Sequence, residues 1–182
     1  KNVLVIKNAI DPTEKQFAYD NLEIDFDTFF YLGGSNHLQD LKLLGDAFEN
    51  ETLFLKTPKL PKRMHGIKVE ISEIQNYAKD YEDCGICVIP LKENTFNSCK
   101  SELKMIEAGH FAKPVMVSNV EPYTLLATKK NSLKVYNNDW SAAIKKIKGN
   151  HQMQVDLGLK LKEDVSIKYN LTTENEKRLQ SL

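Results

Sequence analysis

Cys84-Gly85-Ile86-Cys87-Val88-Ile89, closed by Pro90, is an unbroken apolar run of strand length. A strand without polar alternation is buried on both faces, as in the centre of a parallel sheet. Parallel neighbours need long crossovers, and the surrounding sequence provides them. Downstream, the spacing predicts a helix over about 98–112, with Leu103, Ile106 and Phe111 on its apolar face. Pro114-Val115-Met116-Val117-Ser118 and Leu133-Lys134-Val135-Tyr136 read as further strands. Helices are expected over about 139–148 and 152–168, the second with Leu157, Leu161 and Val165 on one stripe, before a charged tail. Upstream, Phe29-Phe30-Tyr31-Leu32 reads as a strand ending in a Gly33-Gly34 turn. Leu38, Leu41, Leu44 and Phe48 follow at helical spacing, then a strand over Thr52-Leu53-Phe54-Leu55. Ile67 to Ile71 alternates like a strand, and Ser72 is placed to cap a helix running to about Lys79. This alternation predicts an α/β fold with a doubly wound parallel sheet. Ligands of such sheets sit at the carboxyl ends of the strands, which singles out the loops at 33–37, 90–100 and 118–123.

The 182 residues suit one domain with a sizeable core. The chain has 41% hydrophobic and 27% charged residues, a globular and not a disordered balance. Its 25 basic and 25 acidic residues cancel, so nothing in the net charge points to nucleic acid or an anionic membrane. No apolar run approaches the roughly 20 residues of a transmembrane segment, and Lys1 to Ile6 is too short for a signal peptide. Three cysteines make no disulfide framework, so a reducing, cytoplasmic setting is expected. A first residue Lys1 in place of Met suggests a piece of a longer chain.

Gly33 and Gly34, between a strand and a helix, allow close backbone approach to a ligand, and His37 reads as a solvated first-turn residue. Cys84 and Cys87 match Cys-x-x-Cys, but on a strand they are expected to point to opposite faces and to serve as buried structural thiols. The segment 96–109 carries more chemistry. Asn97 or Ser98 is placed to cap a helix whose first free amides could receive a diphosphate. Lys100 would lie in the first turn, where the helix dipole disfavours a cation unless an anion is bound nearby. Glu107, two turns further, could accept hydrogen bonds from the vicinal hydroxyls of a ribose.

Asp83-Cys84-Gly85-Ile86 through Pro90-Leu91, Phe96-Asn97, Lys100-Ser101, Leu103-Lys104, Glu107-Ala108-Gly109, Pro114-Val115, Ser118 and Pro122-Tyr123 together resemble the C-terminal domain of group 1 glycosyltransferases of the GT-B type. Asn8-Ala9-Ile10-Asp11 is similar to that family's interdomain linker, and Gly33-Gly34 with Asp40 fits one branch of it. The resemblance implies a Rossmann-like domain that binds a nucleotide diphosphate sugar, facing an N-terminal Rossmann-like domain absent from this chain. It implies no metal and no cofactor, and donor-binding roles for Gly33, Gly34, Asn97, Lys100, Ser101 and Glu107. The catalytic base and the acceptor site of the family lie in the absent domain. Three places depart from the family pattern. Cys99 stands where many members have a first glutamate, and Ser35 and Asp40 stand where many have an arginine and a lysine.

The organisation expected is a linker-like segment at 1–20, a nucleotide-sugar-binding domain at 21–170 and a tail at 171–182. The function expected is the donor-binding part of a glycosyltransferase of glycan or polysaccharide synthesis, inactive in isolation. The competing reading is a non-catalytic α/β binding or interaction domain with a degenerate nucleotide site. A receiver-like module is disfavoured because Leu32-Gly33-Gly34 provides no acidic cluster at the end of the first strand.

Overall fold

The computed structural model describes residues 6–18, 23–34, 39–57, 67–70, 74–82 and 84–180. Among them, six parallel strands form one sheet: β1 Phe29–Leu32, β2 Leu53–Lys56, β3 Ile67–Glu70, β4 Ile86–Ile89, β5 Val115–Ser118 and β6 Leu133–Val135. Their order is β3-β2-β1-β4-β5-β6. The chain therefore winds outward from β1 in one direction, returns, and winds outward from β4 in the other. The reversal lies between β1 and β4, where Phe29 pairs with Ile86 and Phe30 with Cys87. That is the doubly wound, Rossmann-like α/β fold expected from the sequence, with its crevice at the β1/β4 strand ends.

Each of the six expected strands is present, β1 with the expected bounds and the others shifted by a residue or two at their ends. β4 explains why its sequence is apolar throughout. Cys87 and Ile89 enter the core layer with Met105, Phe111, Leu161 and Val165, whereas Ile86 and Val88 enter the opposite layer with Leu41, Trp140 and Ile144. The stripe Leu157, Leu161, Val165 of α4 (His151–Lys168) is buried, as its periodicity predicts. It is a core surface and not a loosely docked one, because α4 lies against α2 (Leu103–His110). α3 (Trp140–Ile147) covers the other face and is capped by Asp139, whose carboxylate accepts from the Ala142 amide at 3.0 Å.

Several local expectations are corrected. The expected helix over 98–112 is two pieces, α1 (Thr95–Ser98) and α2, separated by a turn at 99–102. Asn94, and not Asn97 or Ser98, caps α1, accepting from the Asn97 amide at 2.8 Å. Asn97 turns its own side chain inward to the Lys92 carbonyl, and Glu102 is buried against the Tyr169 hydroxyl. These two inward ties redirect the chain between α1 and α2. Leu103 is consequently exposed, whereas Ile106 and Phe111 are buried as expected. The helical pattern around Leu41, Leu44 and Phe48 folds as a 3-10 segment, Asp40–Leu44, followed by turns; Leu38 lies outside the described residues. Ile74–Tyr81 is also 3-10, and the expected cap Ser72 lies outside the described residues. Cys84 and Cys87 share one core cluster instead of facing apart, because Cys84 precedes the strand and is not part of it. Both are free thiols, and burial pushes the Cys84 thiol well up, so the structural reading of the pair holds. The tail expected at 171–182 is helical over α5 (Leu171–Gln180).

The segment described over 6–18 packs onto the domain. Ile10 bridges to Asn170, the Lys7 amide donates to Glu174, and Phe17 is buried between Tyr77, His110 and Phe111.

Candidate functional site

The site grows from the reversal point of the sheet. β1 ends in Gly33-Gly34, and β4 ends in Pro90-Leu91-Lys92, which leads into α1 and the 99–102 turn. The Ser118 hydroxyl, at the end of β5, accepts from the Leu91 amide at 2.9 Å and fixes where the chain leaves β4. Asp40, only 5% exposed, organises the same loop from the other side. Its Oδ1 accepts from the Lys92 amide at 3.1 Å and from Asn97 Nδ2 at 3.5 Å, and its Oδ2 lies 4.0 Å from Lys100 Nζ. The acidic residue at the family's lysine place is thus a structural brace whose charge is balanced by Lys100. Ser35 and His37 lie outside the described residues.

Lys100 does not occupy a first helical turn. It sits in the turn before α2, with its amide bonded to the Asn97 carbonyl and its ammonium 5.1 Å from the centre of the exposed Phe96 ring. The conflict with the helix dipole therefore does not arise. The amides of Asn97, Ser98 and Lys100 are used within the loop. Those of Ser101, Glu102, Leu103 and Lys104 have no recorded acceptor among the described residues, so the free helix-start donors lie at α2. Ser101 is exposed beside them. The Gly33 amide is likewise taken, by the Lys56 carbonyl at 3.2 Å.

Glu107 is neither exposed nor half-buried but 6% exposed, inside the core side of α2. It accepts from the Tyr77 hydroxyl at 2.7 Å and the Tyr81 hydroxyl at 3.1 Å. Burial raises its pKa above the ordinary value, while the two phenols and Lys104 counter that rise. Two bonds use about half the lone-pair capacity of a carboxylate, so further donors can be accommodated chemically.

The residue that sequence reasoning left out of the donor set is Lys104. Its ammonium lies 3.3 Å from the Tyr31 hydroxyl and 4.3 Å from the centre of that ring. A Cβ at Gly33 would come within 2.8 Å of Lys104 Nζ and 2.7 Å of the Tyr31 hydroxyl, so the bare glycine leaves room for this ammonium at the strand end. Burial depresses the Lys104 pKa to about 8, against the opposing pull of Glu107 and Asp40. Tyr31 and Tyr123 are both pushed up by burial and by the charge of Asp40. The signal available in the sequence was the spacing Lys100, Lys104, Glu107 on successive helical turns. The partners Tyr77 and Tyr81, themselves one turn apart, carried no local sign that they would meet Glu107.

The structure therefore gathers Gly33, Asn97, Lys100, Ser101 and Glu107 at the reversal point or on the elements entering it, with Lys104 and Asp40 added. Among the described residues no group of His, Cys, Asp and Glu is arranged to hold a metal ion, and no helix is long and apolar enough to cross a membrane. What this arrangement can do is present two ammonium groups and a row of free amides to an anion, beside a buried carboxylate that can accept from hydroxyls.

No protein-family model matches the sequence, and no curated protein matches it significantly. Solved structures do match the fold. The chain is similar to Anabaena HepE in complex with UDP-glucose, at a TM-score of 0.69 and 12% identity over 87% of this chain and 50% of that one. It is similar to TarM, at 0.61 and 17% identity over 98% of this chain and 37% of that one. A third similar structure is the C-terminal domain of a group 1 glycosyltransferase, LpcC of Francisella tularensis, at 0.59 and 13% identity, covering 92% of this chain and 97% of that domain. The chain thus spans half or less of HepE and TarM but nearly all of an isolated C-terminal domain. Its fold is that of the C-terminal domain of the GT-B glycosyltransferases.

Proposed function

We infer that this GT-B C-terminal fold binds a nucleotide diphosphate sugar and forms the donor-binding part of a glycosyltransferase. The observation that supports the reading most directly is the convergence of Lys100, Lys104 and the free amides of 101–104 at the β1/β4 reversal point. A diphosphate needs donors and positive charge fixed in place, and a helix start with two adjacent ammonium groups supplies both. Helix amides and lysines then stabilise the leaving diphosphate without a metal ligand set. Glu107, held by two tyrosines, accepts from the ribose hydroxyls; Asn97 and Asp40 position the loop; Gly33 and Gly34 let the donor approach the strand end. The same reading assigns the acceptor site and the catalytic base to a second, N-terminal Rossmann-like domain, in keeping with this chain spanning half or less of HepE and TarM. A glycan or polysaccharide as the product, and a cytoplasmic location, belong to the same reading.

The competing reading, a binding domain with a degenerate site, draws on Cys99 and on Asp40 balancing Lys100. Titration of the folded chain with UDP, GDP and ADP by calorimetry separates the two. One nucleotide diphosphate is expected to bind more tightly than its nucleoside, and Glu107→Gln should keep the fold and weaken it by about tenfold, the worth of one hydrogen bond to a charged group. No binding at millimolar concentration would favour the degenerate site, and binding unaffected by Glu107→Gln would remove Glu107 from the donor set. The chain alone should transfer no sugar to any acceptor, and sustained turnover would overturn the division of labour.

A further inference from the structure

A second concavity, of about 240 Å³, opens at the β6 edge of the sheet, away from the β1/β4 reversal point. Three lysines line it from three different elements: Lys129 from the loop before β6, Lys134 from β6 itself, and Lys146 from α3. Tyr136 and Met153 complete its wall. None of the three ammonium groups has an ion-pair partner among the described residues. The carboxylates of the neighbouring elements are engaged elsewhere. Asp164 accepts from Asn131 and pairs with Lys160, Asp156 accepts from Gln152, Asp139 caps α3, and Glu51 pairs with Lys148.

In a chain with as many acids as bases, three unpaired cations converging on one hollow is a local surplus of positive charge. A lysine on an edge strand discourages edge-to-edge pairing, which accounts for Lys134 alone. It does not account for Lys129 and Lys146 meeting it at the same cavity from a loop and a helix. Their mutual repulsion is relieved when an anion lies between them, and ammonium donors bind phosphate oxygens as point charges. The volume is below the roughly 300–1,000 Å³ typical of pockets for drug-sized ligands, so it suits one anionic group and not a whole nucleotide. We propose that the Lys129–Lys134–Lys146 hollow is a binding site for a single phosphate ester group, separate from the donor crevice. The phenol of Tyr136 and the thioether of Met153 face the organic part of that ester. This inference does not rest on the donor-binding reading.

The experiment is a titration of the isotopically labelled chain with inorganic phosphate, followed by amide chemical shifts, with chloride at matched ionic strength as the control. Saturable shifts confined to 128–136 and 143–147, weakened at least tenfold in the Lys129→Gln/Lys146→Gln variant, are expected. Both lysines are exposed, so this variant should fold and melt like the parent. Flotation with phosphatidylcholine vesicles, with and without phosphatidylglycerol, identifies the source. Lysine-dependent binding to the anionic vesicles alone assigns the ester to a lipid headgroup, whereas phosphate shifts without vesicle binding assign it to a soluble ester. Shifts that chloride reproduces, that do not saturate, or that persist unchanged in the double variant would overturn the site.

Discussion

At the scale of single residues, Lys104 carries the sharpest consequence of the site. Its half-buried side chain brings the ammonium beside Gly33 and Tyr31, and desolvation depresses its pKa to about 8. A lysine with a depressed folded pKa favours folding most when it is neutral. Its contribution is therefore fully present above the ordinary lysine value near 10.5 and is lost as pH falls through about 8. At neutral pH the charged form carries a desolvation cost that a bound diphosphate would offset, by restoring the pKa upward. Nucleotide binding between about pH 8 and 10.5 should then take up a proton, and affinity should fall as pH rises, by at most about tenfold per unit for one proton. The tyrosines around the site do not confuse this window, because burial pushes Tyr31, Tyr77 and Tyr123 upward. Calorimetry at pH 7 and 9.5, in buffers of different ionisation enthalpy, reads both the affinity and the proton. Lys104→Met should bind more weakly at pH 7 and lose the extra fall above pH 8. A parent protein whose affinity is flat across this range would remove Lys104 from the phosphate site. The residue was visible in the sequence as one more helix lysine. What distinguishes it is a strand-end glycine some seventy positions away, a relation that no local pattern encodes.

At the scale of elements, α4 packs against α2 and against the main chain that follows α2. This packing depends on a bare backbone at Gly158. A Cβ there would fall 2.0 Å from the carbonyl oxygen of Ala112, which is main chain and cannot rotate away. In an exposed helix, Gly→Ala stabilises by up to about 1 kcal/mol. Here it should instead destabilise by about 1–3 kcal/mol, because the helix must move off the main chain at Ala112 that follows α2. Urea denaturation of Gly158→Ala measures this, and a variant as stable as the parent would contradict the close approach. Strands and core positions were readable beforehand because each is written locally: an apolar run for β4, a stripe for α4. The division of the 95–110 region into α1 and α2 was not. Periodicity continues across 99–102, and the break comes from Asn97 being drawn to Lys92 and Glu102 to Tyr169. The partners of Glu107 were equally illegible, since Tyr77 and Tyr81 come from another element. The same blindness set Cys84 and Cys87 on opposite faces, because the strand was taken to begin two residues early.

At the scale of the whole molecule, stability and the candidate donor site are concentrated in the same place. β4 is paired on both sides and covered on both faces, and the loop that carries Lys100 and Lys104 leaves directly from its end. A rigid centre of this kind would hold charge in position without reorganisation for the diphosphate proposed to bind there. The far end of the chain is built differently. α5 buries only Glu174, and Leu179 is 71% exposed, so hydrophobic packing contributes little to it. A helix of this length is marginal in water by itself. Among the described residues, two ties join the 6–10 segment to the start of α5: the Ile10–Asn170 bridge, and Glu174, which accepts from the Lys7 amide at 3.1 Å and also from the Lys177 ammonium of its own helix. Lys177 and the Lys7 amide lower the Glu174 pKa, so this tie is present at neutral pH and is lost as pH falls below the ordinary carboxylate range. Two segments tied to each other in this way should open together and independently of the sheet. Hydrogen exchange at neutral pH should show α5 and residues 7–10 exchanging orders of magnitude faster than β4. In Glu174→Gln both segments should speed up while β4 stays unchanged, because the amide can keep at most part of the hydrogen bonding and none of the charge attraction. Equal protection of α5 and β4 in the parent, or a response of α5 without residues 7–10, would show that the two ends are not joined through Glu174.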